Sequence, residues 1–100
     1  MNILKIVNGK LELRKSNGSL IRIIQTSGVV NADIKNDGSL IVITNDKGQV
    51  ILRKENAALV RTISTSNNTN AKFNGNDILL TKSNGKLEVR KENGSLIRTM

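Results

Sequence analysis

The chain has no cysteine, histidine, proline, tryptophan or tyrosine, and Phe73 is its single aromatic residue. Each absence removes a class of explanation. Without cysteine there is no disulfide framework, no thiolate nucleophile and no sulfur-ligated metal, so the fold must hold together by packing alone. Without histidine the chain lacks the base that titrates near neutral pH and the commonest imidazole metal ligand. Carboxylates are then the main groups left for acid–base work, and enzyme activity is not expected. One phenylalanine supplies neither the rigid anchors of a typical protein interface nor the stacking platforms that sugar binding uses. No Gly-rich loop has phosphate-binding spacing, and the Asn-Gly turns lack the Lys-Ser/Thr ending such a loop needs, so no cofactor is expected. No apolar run approaches the roughly 20 residues of a membrane span. The opening MNILKIVNGKLELRK has neither a sustained apolar stretch nor a small-residue cleavage site, so a soluble, cytoplasmic chain without membrane partners is the expectation.

What is present is branched aliphatic and basic. The apolar fraction is 37%, nearly all Ile, Leu, Val and Ala, and sixteen Lys and Arg stand against eight Asp and Glu for a net charge of +8. Such a balance suits anionic partners, and it equally suits a small β protein that uses lysine to blunt its strand edges. Fourteen asparagines and twelve isoleucines give a bias that an AT-rich genome, such as a phage or a low-GC bacterium carries, would produce.

The most informative feature is a repeat. GKLELRKSNGSLIRII from Gly9 recurs as GQVILRKENAALVRTI from Gly48 and GKLEVRKENGSLIRTM from Gly85, offset by 39 and then 37 residues. Thirteen of seventeen positions agree between residues 8–24 and 84–100, which fits a recent duplication or an engineered repeat. Apolar residues alternate with charged ones at Leu11 and Leu13 and at Leu87 and Val89, which is the period of a strand and not of a helix. The runs are four to six residues long and are broken by Asn-Gly and Asp-Gly pairs at residues 8–9, 17–18, 37–38, 74–75, 84–85 and 93–94, which read as hairpin turns. Leu40–Ile43 and Val50–Leu52 are continuously apolar, as strands covered on both faces are. Within TSNNTN, residues 65–70, the longest polar stretch, a flexible loop is expected.

With four strands per period labelled A to D, the middle copy reads NADI, SLIVIT, QVILRK and ALVRTI. The chain then holds BCD, ABCD and ABCD, over residues 1–24, 30–63 and 70–100, with Ile3–Val7 in the place of strand B and no first strand A. Four-stranded antiparallel units at about 40-residue spacing are the sequence pattern of propeller blades. The stretch from Val30 to Ile63, with its NDG turn, its Asp46-Lys47-Gly48 turn and its closing LVRTI, resembles a WD-repeat blade, and Phe73 stands where such blades often carry an aromatic. Arg14-Lys15, Arg53-Lys54 and Arg90-Lys91 occupy the place of the Trp-Asp pair, and no Gly-His precedes the inner strand. The resemblance implies an all-β, β-propeller-like fold of antiparallel four-stranded repeats. Because propellers close with about four to eight blades, homo-oligomerisation as a dimer or trimer is the expected route to a ring.

Function is less legible. The expectation is a non-catalytic scaffold or interaction module that self-assembles. The alternative is a nucleic-acid binder, in which Arg14, Lys15, Arg53, Lys54, Arg90 and Lys91 recur at equivalent angles and grip phosphates, with Arg22, Arg61 and Arg98 as a second set. Against that, the same cations could pair with Glu12, Glu55, Glu88 and Glu92 across strands. Asp33, Asp37, Asp46 and Asp77 sit in or beside turns, where Asp commonly bonds its own backbone, and a catalytic or metal role for them is the weakest reading. Asn-x-Ser/Thr triplets at Asn17, Asn67 and Asn93 read simply as turns.

Overall fold

Short alternating runs with Asx-Gly punctuation fold as the pattern dictates. The computed structural model describes residues 2–100, and among them are eleven strands and no helix. The first sheet is β1 (Ile3–Val7), β2 (Lys10–Arg14) and β3 (Leu20–Gln25), in that spatial order. The second is β4 (Val29–Ile34), β5 (Leu40–Asn45), β6 (Val50–Lys54) and β7 (Leu59–Ser64). The third is β8 (Asn68–Asn74), β9 (Asp77–Lys82), β10 (Leu87–Arg90) and β11 (Leu96–Thr99). Every pairing is antiparallel between chain neighbours, so each sheet is a meander.

The turns differ from simple two-residue reversals in most places. Only the Asn8-Gly9 and Gly75-Asn76 turns are of that kind, joining partners Val7 and Lys10 and partners Asn74 and Asp77. At the turns between the third and fourth strands of a unit, the N–H of Lys15, Lys54 or Lys91 donates to the carbonyl four residues on. There the side chain of Asn17, Asn56 or Asn93 accepts from the N–H two residues later, at 2.9 to 3.0 Å. Such a turn needs one residue in the left-handed region, and the extra residue shifts the register of the strands it joins. The shifts fall at Leu13/Arg14, Leu52/Arg53 and Val89/Arg90, the same place in each unit.

The expected loop at residues 65–70 is in part a strand. Asn68 opens β8 and is buried. Its polar groups are nonetheless met: Nδ2 donates to the carbonyl of Gly48 at 2.8 Å, the Ser64 hydroxyl and the Ser66 carbonyl, and Oδ1 accepts from Lys82 Nζ. A polar residue so supplied can occupy a position that Val29 fills in the preceding unit.

The sheets stack face to face, and the core lies in the two seams between them. Leu11, Leu13 and Ile24 of the first sheet meet Val29, Ile41 and Ile43 of the second. Val42, Val50, Leu52 and Ile63 on the other side of the second sheet meet Ala71, Ile78 and Leu80 of the third. The middle sheet is therefore covered on both faces, which is why β5 is continuously apolar. The one polar break is Thr44, buried in that strand with its hydroxyl unpartnered among the described residues. Replacing it with isosteric valine removes an unmet hydroxyl at constant volume. Thr44→Val is expected to raise stability by about 1 kcal/mol, read as an upward shift of the urea midpoint.

Candidate functional site: the repeated Arg-Lys turns and the open end faces

The three Arg-Lys pairs stay in separate sheets, each at the turn after the third strand of its unit. Arg14 Nη1 donates to the Gly18 carbonyl at 2.6 Å, Arg53 Nη1 to that of Ala57 at 2.9 Å, and Arg90 Nη1 to that of Gly94 at 2.9 Å. Each half-buried guanidinium thus clamps its own hairpin, an internal contact made at the position of the Trp-Asp pair. Arg14 and Arg90 are engaged further by carboxylates. Arg14 pairs with Glu12 at 2.8 Å and Arg90 with Glu88 at 3.0 Å. These partners lie two residues back on the same strand and not across strands. Two of the arginines also reach the preceding sheet, Arg53 Nε to Gln25 Oε1 at 3.3 Å and Arg90 Nη1 to the Ile63 carbonyl at 3.4 Å.

Lys15, Lys54 and Lys91 follow directly and are exposed, and none pairs with a carboxylate among the described residues. They place one free ammonium on each sheet, at the turn that follows the equivalent strand. Glu92 instead bridges two sheets to Lys35. In the second set, Arg61 donates to the Asn93 carbonyl of the next sheet at 3.4 Å, while Arg22 and Arg98 are exposed.

The four aspartates lie apart, and two of them, Asp33 and Asp37, accept hydrogen bonds. Asp33 Oδ2 accepts from the Phe73 N–H of the next sheet at 2.8 Å. Asp37 Oδ1 accepts from the Ser39 N–H and hydroxyl. No group of three potential metal ligands occurs among the described residues. Clefts of about 380 and 340 Å³ flank the Asn45–Gln49 turn, lined by Asp46, Lys47 and small polar residues. Ser27, Thr69 and Ser83 line them with Asp46, but among the described residues none of these hydroxyls is hydrogen-bonded to its carboxylate. Nor does any helix among the described residues have the length and apolarity to cross a membrane.

The hydrogen bond from Arg14 holds the Glu12 carboxyl below its ordinary range, and the Ser39 hydroxyl and N–H do the same for Asp37. A carboxyl depressed in the fold contributes stability that is present above its unfolded pKa, about 4.3 for Glu, and is lost as pH falls through the lower folded value. Lys35 is shifted the other way, upward, by its hydrogen bond to Glu92. With Glu92 ionised, its contribution is full below the ordinary lysine value of about 10.4 and is lost as pH rises through the higher folded value. The melting temperature is thus expected to fall on acidification below about pH 4, and Glu12→Gln is expected to flatten that limb in a pH series of thermal melts.

The two outer faces of the stack are the remaining candidate. Alternate residues of a strand face opposite sides, so register shows which groups the ends present. The third sheet turns Leu79, Leu87 and Val89 outward, at the positions of Val42, Val50 and Leu52, which are buried in the second seam. Val89, Ile97 and Met100, with Asp77, line an open cleft of about 360 Å³. At the other end the first sheet presents Ile3 opposite Arg14 and Lys5 opposite Glu12. Ile41 opposite Arg53 and Ile78 opposite Arg90 are the same cross-strand pair, seated in the two seams.

This arrangement has a counterpart among solved structures. The chain superposes with a TM-score of 0.62 on the crystal structure of BamB from Moraxella catarrhalis, a β-propeller protein, over 97% of its own length and 34% of that chain, at 12% identity. The chain is β-propeller-like. It spans about a third of that larger protein, and the identity supports a shared fold alone. No protein-family model and no curated protein sequence matches it. Its sheets can therefore be called blades, two of four strands and one of three. The sequence pattern identified the cations but not their burial, and it implied open blade faces without naming their residues. Comparing equivalent repeat positions, Leu52 with Val89 or Ile78 with Ile3, was the signal that would have found them.

Proposed function

We propose that this protein is a non-catalytic, self-associating β-propeller-like scaffold or interaction module, its blades resembling WD repeats with an arginine clamp in place of the Trp-Asp pair. One observation carries the reading: the third blade presents to solvent the apolar quartet that the second blade buries in its seam, and the first blade presents the Ile–Arg pair of the receiving side, with Lys5 in the place of the buried Ile43 and Leu80. A blade face of this kind is stable only against a neighbour, and an apolar face of unpaired repeats is a contact surface. The superposition on a third of a larger propeller supports it, because the three blades already have the mutual arrangement of consecutive members of a longer array. Two copies would supply six blades and three copies nine. Freedom from cysteine suits work in the cytoplasm. Light scattering at two concentrations and two salt levels tests the reading. A mass that is a multiple of 10.9 kDa is expected, and a well-folded monomer throughout would refute it.

A second reading has its own observation, the three unpaired lysines, Lys15, Lys54 and Lys91, at the equivalent turn of each blade. A polyanion such as a nucleic acid would bind such a set through counterion release, with affinity falling steeply as salt rises. Titration with a labelled single strand at low and moderate salt decides it: salt-sensitive binding supports this reading, and absence of binding at low salt removes it.

A further inference from the structure

The seams inside the chain are built from a small set of repeated contacts, and each can be asked for at the chain's two ends. On the donating side of a seam stands an apolar quartet: Val42, Val50, Leu52 and Ile63 in the middle blade. The third blade repeats it as Leu79, Leu87, Val89 and Met100. On the receiving side stand an isoleucine and an arginine from neighbouring strands, Ile41 with Arg53 and Ile78 with Arg90. The first blade repeats them as Ile3 with Arg14. Exposure separates seated from unseated copies: Ile41 and Ile78 are 0% exposed and Ile3 49%, while Ile63 is 4% exposed and Met100 59%. The Arg14–Glu12 pair of the first blade also copies Arg90–Glu88, which sits within the second seam and donates to the Ile63 carbonyl.

We infer that the open face of the third blade docks onto the open face of the first blade of a second copy of this chain, head to tail, as an intermolecular repetition of the seam between the second and third blades. The inference rests on the self-association proposed above and adds the surface, the partner and the direction. In this seam Ile3 of one copy packs against Leu79, Val89 and Ile97 of the other. Arg14 reaches the Met100 carbonyl as Arg90 reaches that of Ile63. Arg98 reaches the Asn17 carbonyl as Arg61 reaches that of Asn93. Both faces are net basic, with Lys5, Lys10 and Arg14 beside Glu12 on the first blade and Lys72 and Arg98 beside Asp77 on the third, so the repeated apolar contacts and not charge favour this seam. The contact is heterologous, so it propagates to a ring or an open chain and never pairs like with like. One element of the internal seams is missing. Inside the chain the inner strand of each blade donates to its predecessor, Val29 N–H to the Gly9 carbonyl and Asn68 N–H to that of Gly48. Among the described residues the first blade has no inner strand to donate to the Gly85 carbonyl, so the intermolecular seam is the weaker one.

Because the chain has no cysteine, introduced pairs report the seam alone. A double variant Arg98→Cys/Asn17→Cys copies the Arg61–Asn93 contact. A second, Asn74→Cys/Ser16→Cys, copies Lys35–Glu92 and guards against a fault in one site. Each is treated with a short bis-maleimide beside its two single variants, after thermal melts show that all keep the parent's fold. The expected result is covalent dimers and higher multiples from both double variants and none from any single one. Equal cross-linking of single variants would mean a like-to-like interface and would overturn the head-to-tail seam. Absence of cross-links in a sample whose mass is a multiple of the monomer would overturn this seam while leaving self-association standing. A strictly monomeric mass would overturn both.

Discussion

Truncating Leu52 to alanine is expected to remove a large share of the protein's stability. Leu52 is 1% exposed in the seam between the second and third blades, with Val42, Val50, Ile78 and Leu80 around it. Such truncations cost about 2–5 kcal/mol, against a total of about 5–15 kcal/mol for an ordinary domain. The seam cannot collapse easily, since its walls are two hydrogen-bonded sheets. The urea midpoint should therefore fall sharply at nearly constant slope. The same change at Val89, which holds the equivalent position on the open face of the third blade, is expected to shift the midpoint far less at low protein concentration. Equal losses at the two positions would mean that stability does not reside in the seams.

The second large effect is at Gly48. Its φ is +77°, and a β-carbon there would lie 3.1 Å from the backbone nitrogen of Asn67 and 3.4 Å from that of Asn68. Gly48→Ala should cost about 1–2 kcal/mol for the left-handed backbone and about 1–3 kcal/mol more for forcing apart two backbones that cannot yield. Gly85 has the same place one blade later, with φ +86° and open space where a β-carbon would go. Gly85→Ala should cost the conformational part alone. Thermal melts of the two variants separate the terms, and a Gly48 variant no worse than the Gly85 one would contradict the close approach of the blades.

The all-β class and its antiparallel sheets of three and four strands were legible because Ile, Val and Leu alternate with charge and because three copies can be laid over one another. The double-sided burial of β5 was legible from its unbroken apolar run. Asn68 was not, because a polar stretch reads as a loop until the partners that satisfy it are in place, and those come from Gly48 and Lys82, 20 and 14 residues away. The arginines were legible as repeated cations but not as clamps: a chain that folds back four residues to present a carbonyl to its own guanidinium leaves no mark in composition. Asp33 was likewise visible only as a turn-side carboxylate, whereas its partner, the Phe73 N–H, lies in the next blade. That an isolated set of blades leaves bare faces was legible, but which residues those faces present was not. Ile3 and Ile78 look alike in sequence, and only stacking distinguishes the covered copy from the bare one.

The claim that the terminal blades are built for neighbours of their own kind is tested most directly by native mass, measured by light scattering on the parent chain beside Val89→Lys. Lysine at that half-buried, outward position touches no internal seam but places a charge in the docking face. The account predicts a multiple of 10.9 kDa for the parent and a fall to 10.9 kDa for the variant with an unchanged melting temperature at low concentration. A parent that stays at 10.9 kDa at every concentration, or a variant that associates as well as the parent, would contradict it.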